Sequence, residues 1–190
     1  MYRFVCISLM VSLFVLISCS SDKPPQSIED LYFPTLTEKD GQFYKDGSEE
    51  PFSGTIRTEY ENGNLYVMAS FEEGKLHGTF YSWLMNGQLL GEANYENGIL
   101  NGSWIHWYPS GSISTYVHYE DGKRQDSLIY WYENGNMELQ AEYKDDQLHG
   151  EFLRMYPDGE PWMFAKFHRN ELEGGIIEWF PDGTSTRHTK

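Results

Sequence analysis

Aromatic side chains recur at fixed spacing in this sequence, at positions where they could form a binding surface. A 24-residue unit occurs six times without insertion or deletion, and copies 1 to 6 begin at Gly54, Gly78, Gly102, Asp126, Gly150 and Gly174. We number repeat positions from 0 at these residues. Aromatic rings at positions 2 and 6 can stack on sugars or bury against a protein. We predict that they line an exposed surface made of Tyr60, Phe80, Trp104, Tyr108, Tyr132, Phe152, Tyr156 and Phe180.

Histidines are the other side chains with chemical potential, because imidazole binds metals and transfers protons. His77 and His149 share position 23 but lie three copies apart, and the sequence contains no HExxH motif and no paired-cysteine spacing. No cluster of acid, base and nucleophile departs from the repeat. The sequence therefore predicts no catalytic residue, no metal site and no cofactor, and it predicts a protein that is not an enzyme.

The elements that must position these side chains are β-strands. Runs rich in aromatic and β-branched residues are separated by glycines that recur too often for helices. Where positions 0 and 20 lack glycine they carry Asp or Asn, which predicts left-handed backbone there. Position 9 is glycine in every copy and is predicted to be a structural turn residue: Gly63, Gly87, Gly111, Gly135, Gly159 and Gly183.

Two strands per copy predict an all-β fold, an antiparallel meander of consecutive β-hairpins that forms one long twisted open sheet. Proline precedes the position 9 glycine by two residues in three copies, which favours a three-residue type I loop with a G1 bulge. This loop pairs position 5 with position 11. Simple alternation then places positions 3, 5, 11, 13, 15 and 17 on one face, which we predict to be the core. The core would include the position 5 tryptophans Trp83, Trp107, Trp131 and Trp179.

The N-terminal residues differ from the repeat. Arg3 precedes an apolar run over residues 4–17 that is too short to span a bilayer, so residues 1–18 are predicted to be an export signal. The run ends in LISC, which resembles the lipobox of bacterial lipoproteins and implies cleavage before Cys19 and lipidation of its thiol. An ordinary secretory signal is the alternative. This predicts a bacterial envelope protein lipid-anchored to a membrane, the outer membrane in a diderm cell.

After Cys19 the sequence divides into a tether and a folded part. Residues 19–42 are polar and contain prolines, which favours an extended tether, with the apolar residues 28–33 docking on the first repeat. Residues 43–190 form the repeat domain, with an atypical first unit as a cap. The chain has 29 acidic and 14 basic residues, a net charge of −15, so nucleic acid is excluded as a partner.

The repeat also resembles a known family. Two of its copies read GTFYSWLMNGQLLGEANYENGILN and GEFLRMYPDGEPWMFAKFHRNELE. They resemble the variant MORN repeat of bacterial proteins, including those called YwqK-family antitoxins, and the resemblance covers roughly residues 43–184. It implies an antiparallel hairpin array and little chemistry, since no catalytic residues belong to the repeat itself.

Together these features predict a membrane-anchored, non-enzymatic repeat scaffold that binds an unknown protein partner in the cell envelope. The resemblance adds an antitoxin or immunity-like role to this expectation. Glycan or peptidoglycan binding through the aromatic ladder is the alternative. An envelope hydrolase is a third alternative, of a different class.

Overall fold

Fifteen β-strands and no helix make up the regular structure of the described residues, which are residue 33 and residues 35–189 of a computed structural model. They belong to one unit, Phe33–Lys190. The predicted export signal and Cys19 lie outside the described residues. The strands are β1 (Leu36–Lys39), β2 (Gln42–Lys45), β3 (Gly54–Glu59), β4 (Leu65–Glu72), β5 (Lys75–Leu76), β6 (Gly78–Trp83), β7 (Leu89–Glu96), β8 (Ile99–Trp107), β9 (Ile113–Glu120), β10 (Lys123–Trp131), β11 (Met137–Lys144), β12 (Gln147–Met155), β13 (Pro161–His168), β14 (Glu171–Trp179) and β15 (Ser185–Thr189).

The sheet follows the order of the chain. Strands β3 to β15 form one 13-stranded sheet in which consecutive strands are antiparallel neighbours, except that the short β5 pairs with β4 beside β6. Strands β1 and β2 form a separate two-stranded sheet. The prediction of consecutive hairpins in one long open sheet is confirmed.

The loop at position 9 has the predicted three-residue geometry. The Gly63 N–H donates to the Tyr60 carbonyl at 2.9 Å, and the Tyr60 N–H donates to the Asn64 carbonyl at 2.8 Å. All six position 9 glycines have φ between 79° and 90°, in the left-handed region that a G1 bulge requires. These six glycines therefore occupy left-handed positions in the three-residue loops.

The second turn of each copy is a two-residue turn at positions 19 and 20. Glu96 pairs with Ile99 across Asn97 and Gly98, whose φ values are 53° and 83°, as in a type I′ turn. Asp146 and Asn170 replace the position 20 glycine, and both have a φ of 66°. The prediction of left-handed backbone at these substituted positions is confirmed.

A β-bulge in the hairpins of copies 1 to 5 decides which face is buried. In copy 2, Ser82 pairs with Gly91 and Trp83 with Leu89, so Leu90 is an extra residue in the second strand. The same shift precedes position 5 in copies 1, 3, 4 and 5. The predicted pairing of positions 5 and 11 is confirmed. The predicted core face is wrong, however, because the extra residue puts positions 3, 5 and 11 opposite positions 13, 15 and 17.

The core lies on the face that contains positions 2, 13, 15 and 17. Phe152 is 1% exposed and pairs with Ala141 on one side and Ala165 on the other, so each large ring lies between small side chains. Bulges bend strands and increase their twist. We attribute the burial of one face of this single sheet to the bending and twist that the repeated bulges introduce. The aromatic residues at position 17 complete this core: Phe71, Tyr95, Tyr119, Tyr143 and Phe167.

An aromatic cluster covers the N-terminal end of the core. The Phe33 ring lies 5.7 Å from the Phe43 ring and 5.3 Å from the Phe71 ring, and all three residues are buried. Of the residues predicted to dock on the first repeat, the structure describes Phe33, and its docking is confirmed. Strand β1 lies within residues 19–42, so the folded part begins before residue 43 and the predicted tether is too long.

Candidate binding surface

The aromatic residues at position 2 are not on the surface. Phe80 and Trp104 are each 5% exposed, and Phe152 is still more buried. Each pairs with a small residue at position 15, for example Phe80 with Ala93, on the buried face. The prediction that Phe80, Trp104 and Phe152 line a binding surface is therefore wrong, because the bulge places position 2 on the core side of the sheet.

The tyrosines at position 6 connect neighbouring copies. Each hydroxyl donates a hydrogen bond to the main-chain carbonyl of the position 5 residue in the next copy, which joins adjacent hairpin loops. The bonds run from Tyr60 to Trp83 at 2.8 Å, from Tyr108 to Trp131 at 2.7 Å, from Tyr132 to Met155 at 2.9 Å and from Tyr156 to Trp179 at 3.1 Å. These four tyrosines are half-buried, whereas Phe180 is 41% exposed in the last loop. The eight predicted residues thus do not form one exposed surface.

A different aromatic row lies on the open side of the sheet. The rings of Tyr81 and Trp83, at positions 3 and 5, are 5.7 Å apart on this side. We define the tryptophan face as positions 3, 5 and 11 of copies 2 to 6, and none of its members is buried. Its position 5 row reads Trp83, Trp107, Trp131, Met155 and Trp179. Equivalent side chains in successive copies are two strands apart, so they repeat about every 9.4–9.8 Å.

The surroundings of this row are strongly apolar. Position 3 carries Tyr81, Ile105, Ile129, Leu153 and Ile177, and position 11 carries Leu89, Ile113, Met137 and Pro161. Ile113 is 42% exposed, although burial of a branched aliphatic side chain lowers the free energy. Apart from Ser185 at position 11 of copy 6, the face therefore presents a continuous strip of apolar side chains at these three positions.

A charged row lies at the two-residue turns, at the opposite end of the strands from the tryptophans. Position 18 carries Glu72, Glu96 and Glu120 in copies 1 to 3, followed by Lys144 and His168 in copies 4 and 5. All five side chains are exposed. The row is therefore acidic in the first three copies and carries a lysine in copy 4.

Copy 3 contains a polar substitution at a position that is leucine in other copies. Position 22 is leucine in copies 1, 2, 4 and 5, but the equivalent residue in copy 3, before the start of copy 4, is Arg124. The Arg124 Nε donates to Asp146 Oδ1 at 2.8 Å, and the guanidinium lies 4.3 Å from the centre of the Tyr143 ring. Burial opposes the charge of Arg124, and the hydrogen bond to Asp146 raises its pKa. Burial also raises the pKa of Tyr95 and of Tyr119 to about 12.

A shallow cleft of about 490 Å³ is lined by mostly polar residues of copies 3 and 4, including Gln125, Glu142 and His149. The Glu142 carboxylate is already used, because it accepts the Glu151 N–H at 2.9 Å. The described residues hold no group of three or more His, Cys, Asp or Glu placed to bind a metal ion. Within the same part of the chain, no helix is long and apolar enough to cross a membrane.

The uniform hairpins and their repeated open face define the class of this protein, an all-β repeat scaffold. Three segments, residues 76–97, 100–123 and 128–145, match the family model described as the MORN repeat variant. The resemblance to this repeat is therefore confirmed for those segments, and the MORN repeat is a non-catalytic scaffold unit. A search of the curated proteins found no match to the chain.

Proposed function

We propose that this protein is a membrane-tethered, non-enzymatic scaffold that binds another protein through the tryptophan face. The observation that supports this most is the row of tryptophans at position 5 in copies 2, 3, 4 and 6, which are half-buried and lie on the side of the sheet opposite the core. Tryptophan is enriched among the residues that contribute most to protein–protein binding, and extended exposed apolar strips are typical of interaction sites.

The composition of the face favours a protein partner over a glycan. Ile105, Ile129 and Ile177 lie beside the tryptophans and offer no hydrogen-bond donor or acceptor. The polar residues on this side of the sheet, such as Tyr116 and Gln140 at position 14, pair with position 3 and not with the tryptophans. A sugar has hydroxyls on every ring and needs polar groups around the stacking aromatic ring. Branched aliphatic side chains instead complement the apolar side chains of a protein.

The cellular role is part of the same proposal. The lipobox resemblance at Cys19 supports a lipid anchor in the bacterial envelope, and the resemblance to YwqK-family proteins supports an antitoxin or immunity-like role. In that role the partner would be a toxin that the scaffold holds in an inactive complex.

A double variant tests the binding surface. Trp107→Ala with Trp131→Ala removes two rungs of the tryptophan face. A tryptophan that dominates an interface contributes roughly 2 kcal/mol or more to the free energy of binding. Loss of about 2 kcal/mol weakens the affinity roughly 30-fold. We expect the full-length chain, solubilised in mild detergent, to capture a stoichiometric protein from envelope extract and the double variant to lose it.

The matched control is Tyr66→Ala, which removes an exposed aromatic ring that packs on Tyr60, away from the tryptophan face. We expect this variant to keep the captured protein. Circular dichroism of both variants checks that the sheet is intact. Equal capture by the wild-type chain and the double variant would exclude the tryptophan face as the binding site.

A single substitution tests the anchor. Cys19→Ala removes the thiol that would carry the lipid, so we expect the protein to move from the membrane fraction to the soluble fraction. The measurement is an immunoblot of fractionated cells, with Cys6→Ala as the control that leaves the LISC sequence unchanged. Unchanged partitioning of the Cys19 variant would contradict lipidation.

A further inference from the structure

We propose that the tryptophan face binds a polyproline II segment of its protein partner, with proline or another apolar residue at every third position and basic residues between. This inference rests on the proposed function and specifies the conformation and chemistry of the bound segment. The spacing of the rungs, the shape of the strip and the charge of Glu92 beside it support this inference.

The spacing of the tryptophans matches one turn of polyproline II. Trp83, Trp107 and Trp131 repeat every two strands, about 9.4–9.8 Å. A polyproline II helix has three residues per turn and a rise of about 3.1 Å, so equivalent side chains recur about every 9.3 Å. An α-helix with a pitch of about 5.4 Å, and a β-strand with a two-residue period of about 6.6 Å, both miss this spacing.

The shape of the strip suits the same segment. Polyproline II segments dock in grooves lined by aromatic side chains, where proline rings pack against them and the preformed conformation lowers the entropy cost of binding. Between the rungs, Ile105 and Ile113 form apolar sides. Polyproline II has no internal hydrogen bonds, so its carbonyls need donors, and Tyr116 and Gln140 supply these at position 14 on the same side of the sheet.

Glu92 specifies the charge and the location. It pairs with Tyr81 on one side and with Ile105 on the other, so its carboxylate lies on the same side of the sheet as the tryptophan face. In a chain with a net charge of −15, this favours basic residues in the bound segment and places them over copies 2 and 3. Binding should weaken as salt is added, because Glu92 is only half-buried.

Two synthetic peptides of equal composition test the period. Both contain prolines separated by lysine and alanine, but the first has proline at every third position and the second at every fourth. We expect the first peptide to bind the full-length chain in detergent at least about tenfold more tightly, a difference of ~1.4 kcal/mol. Fluorescence anisotropy of labelled peptide measures the affinity. Equal affinities, or no binding of the first peptide, would overturn the inference.

Two charge reversals of equal size test the location. Glu92→Lys reverses the charge beside Tyr81 and Ile105, and we expect it to weaken binding of the first peptide at least about tenfold. Glu120→Lys, at the two-residue-turn end of β9, makes the same net change and should leave the affinity within about twofold. Equal weakening by both variants would show an effect of net charge alone and would contradict the proposed site.

Competition separates this inference from the function on which it rests. If the protein captured from envelope extract depends on Trp107 and Trp131 and is displaced by the first peptide, both proposals are supported. If it depends on these tryptophans but the peptide does not displace it, the scaffold proposal stands and the polyproline II inference fails. If capture does not depend on the tryptophans, both fail.

Discussion

Phe152→Ala is expected to lower the free energy of unfolding by about 3–5 kcal/mol, which is a large part of the total for a domain of this size. Phe152 has the largest side chain among those almost fully removed from solvent, and its neighbours at position 15 are alanines. These cannot collapse into the space that the ring leaves. Urea denaturation followed by far-UV circular dichroism measures the loss.

The matched control is Phe180→Ala, which removes the same ring from an exposed loop. We expect it to change the free energy of unfolding by less than about 1 kcal/mol. The pair also tests the assignment of the faces, because the sequence placed both phenylalanines on the same exposed surface. Similar losses for the two variants would show that position 2 is not the core position.

Asp146→Gly is expected to destabilise the protein by about 1–3 kcal/mol, although it restores the glycine found at position 20 in copies 1 to 3. Asp146 accepts hydrogen bonds from both the Nε and the main-chain N–H of Arg124, and its removal leaves a largely buried guanidinium without its carboxylate. Glycine would by itself stabilise the turn, because it relieves the backbone strain of Asp146 at a φ of 66°. We expect a net destabilisation because the loss of the hydrogen bonds to Arg124 outweighs this gain.

The double variant Arg124→Leu with Asp146→Gly restores the usual leucine and glycine, and we expect it to be within about 1 kcal/mol of the wild type or more stable. The double-mutant cycle, measured by urea denaturation, gives the coupling between the two residues. Lys166→Ala is the control, because it removes an exposed ion pair with Glu151 and should cost less than about 1 kcal/mol. Additive effects of the Arg124 and Asp146 substitutions would contradict the proposed coupling.

Much of the fold could be predicted because turn chemistry is local. Gly111 has a left-handed φ, and position 9 is glycine in every copy. The recurrence of glycine reveals this backbone requirement even when the residues packed around the turn are unknown. Asp146 and Asn170 carried the same information for the two-residue turn. These signals gave the consecutive hairpins, the three-residue loop and the pairing of positions 5 and 11, all of which the structure confirms.

The binding surface could not be predicted in the same way. Trp104 and Trp107 are both tryptophans in one strand, and composition does not distinguish the buried one from the open one. The bulge opposite position 5 reverses the alternation, and no residue type in the second strand marks it. The available signal was the small residue at position 15, whose neighbour must be large, but position 2 and position 5 were both candidates for that neighbour.

The sequence by itself determined the repeat, the hairpins and their order, because a fixed period and the φ preferences of single residues set these. Only the tertiary structure decided which row of aromatic residues is core and which is surface. The physical reason is that burial depends on cross-strand register, and register is set by packing between copies. Trp104 lies between Ala93 and Val117 on the closed face, whereas Trp107 pairs with the exposed Ile113 on the open one.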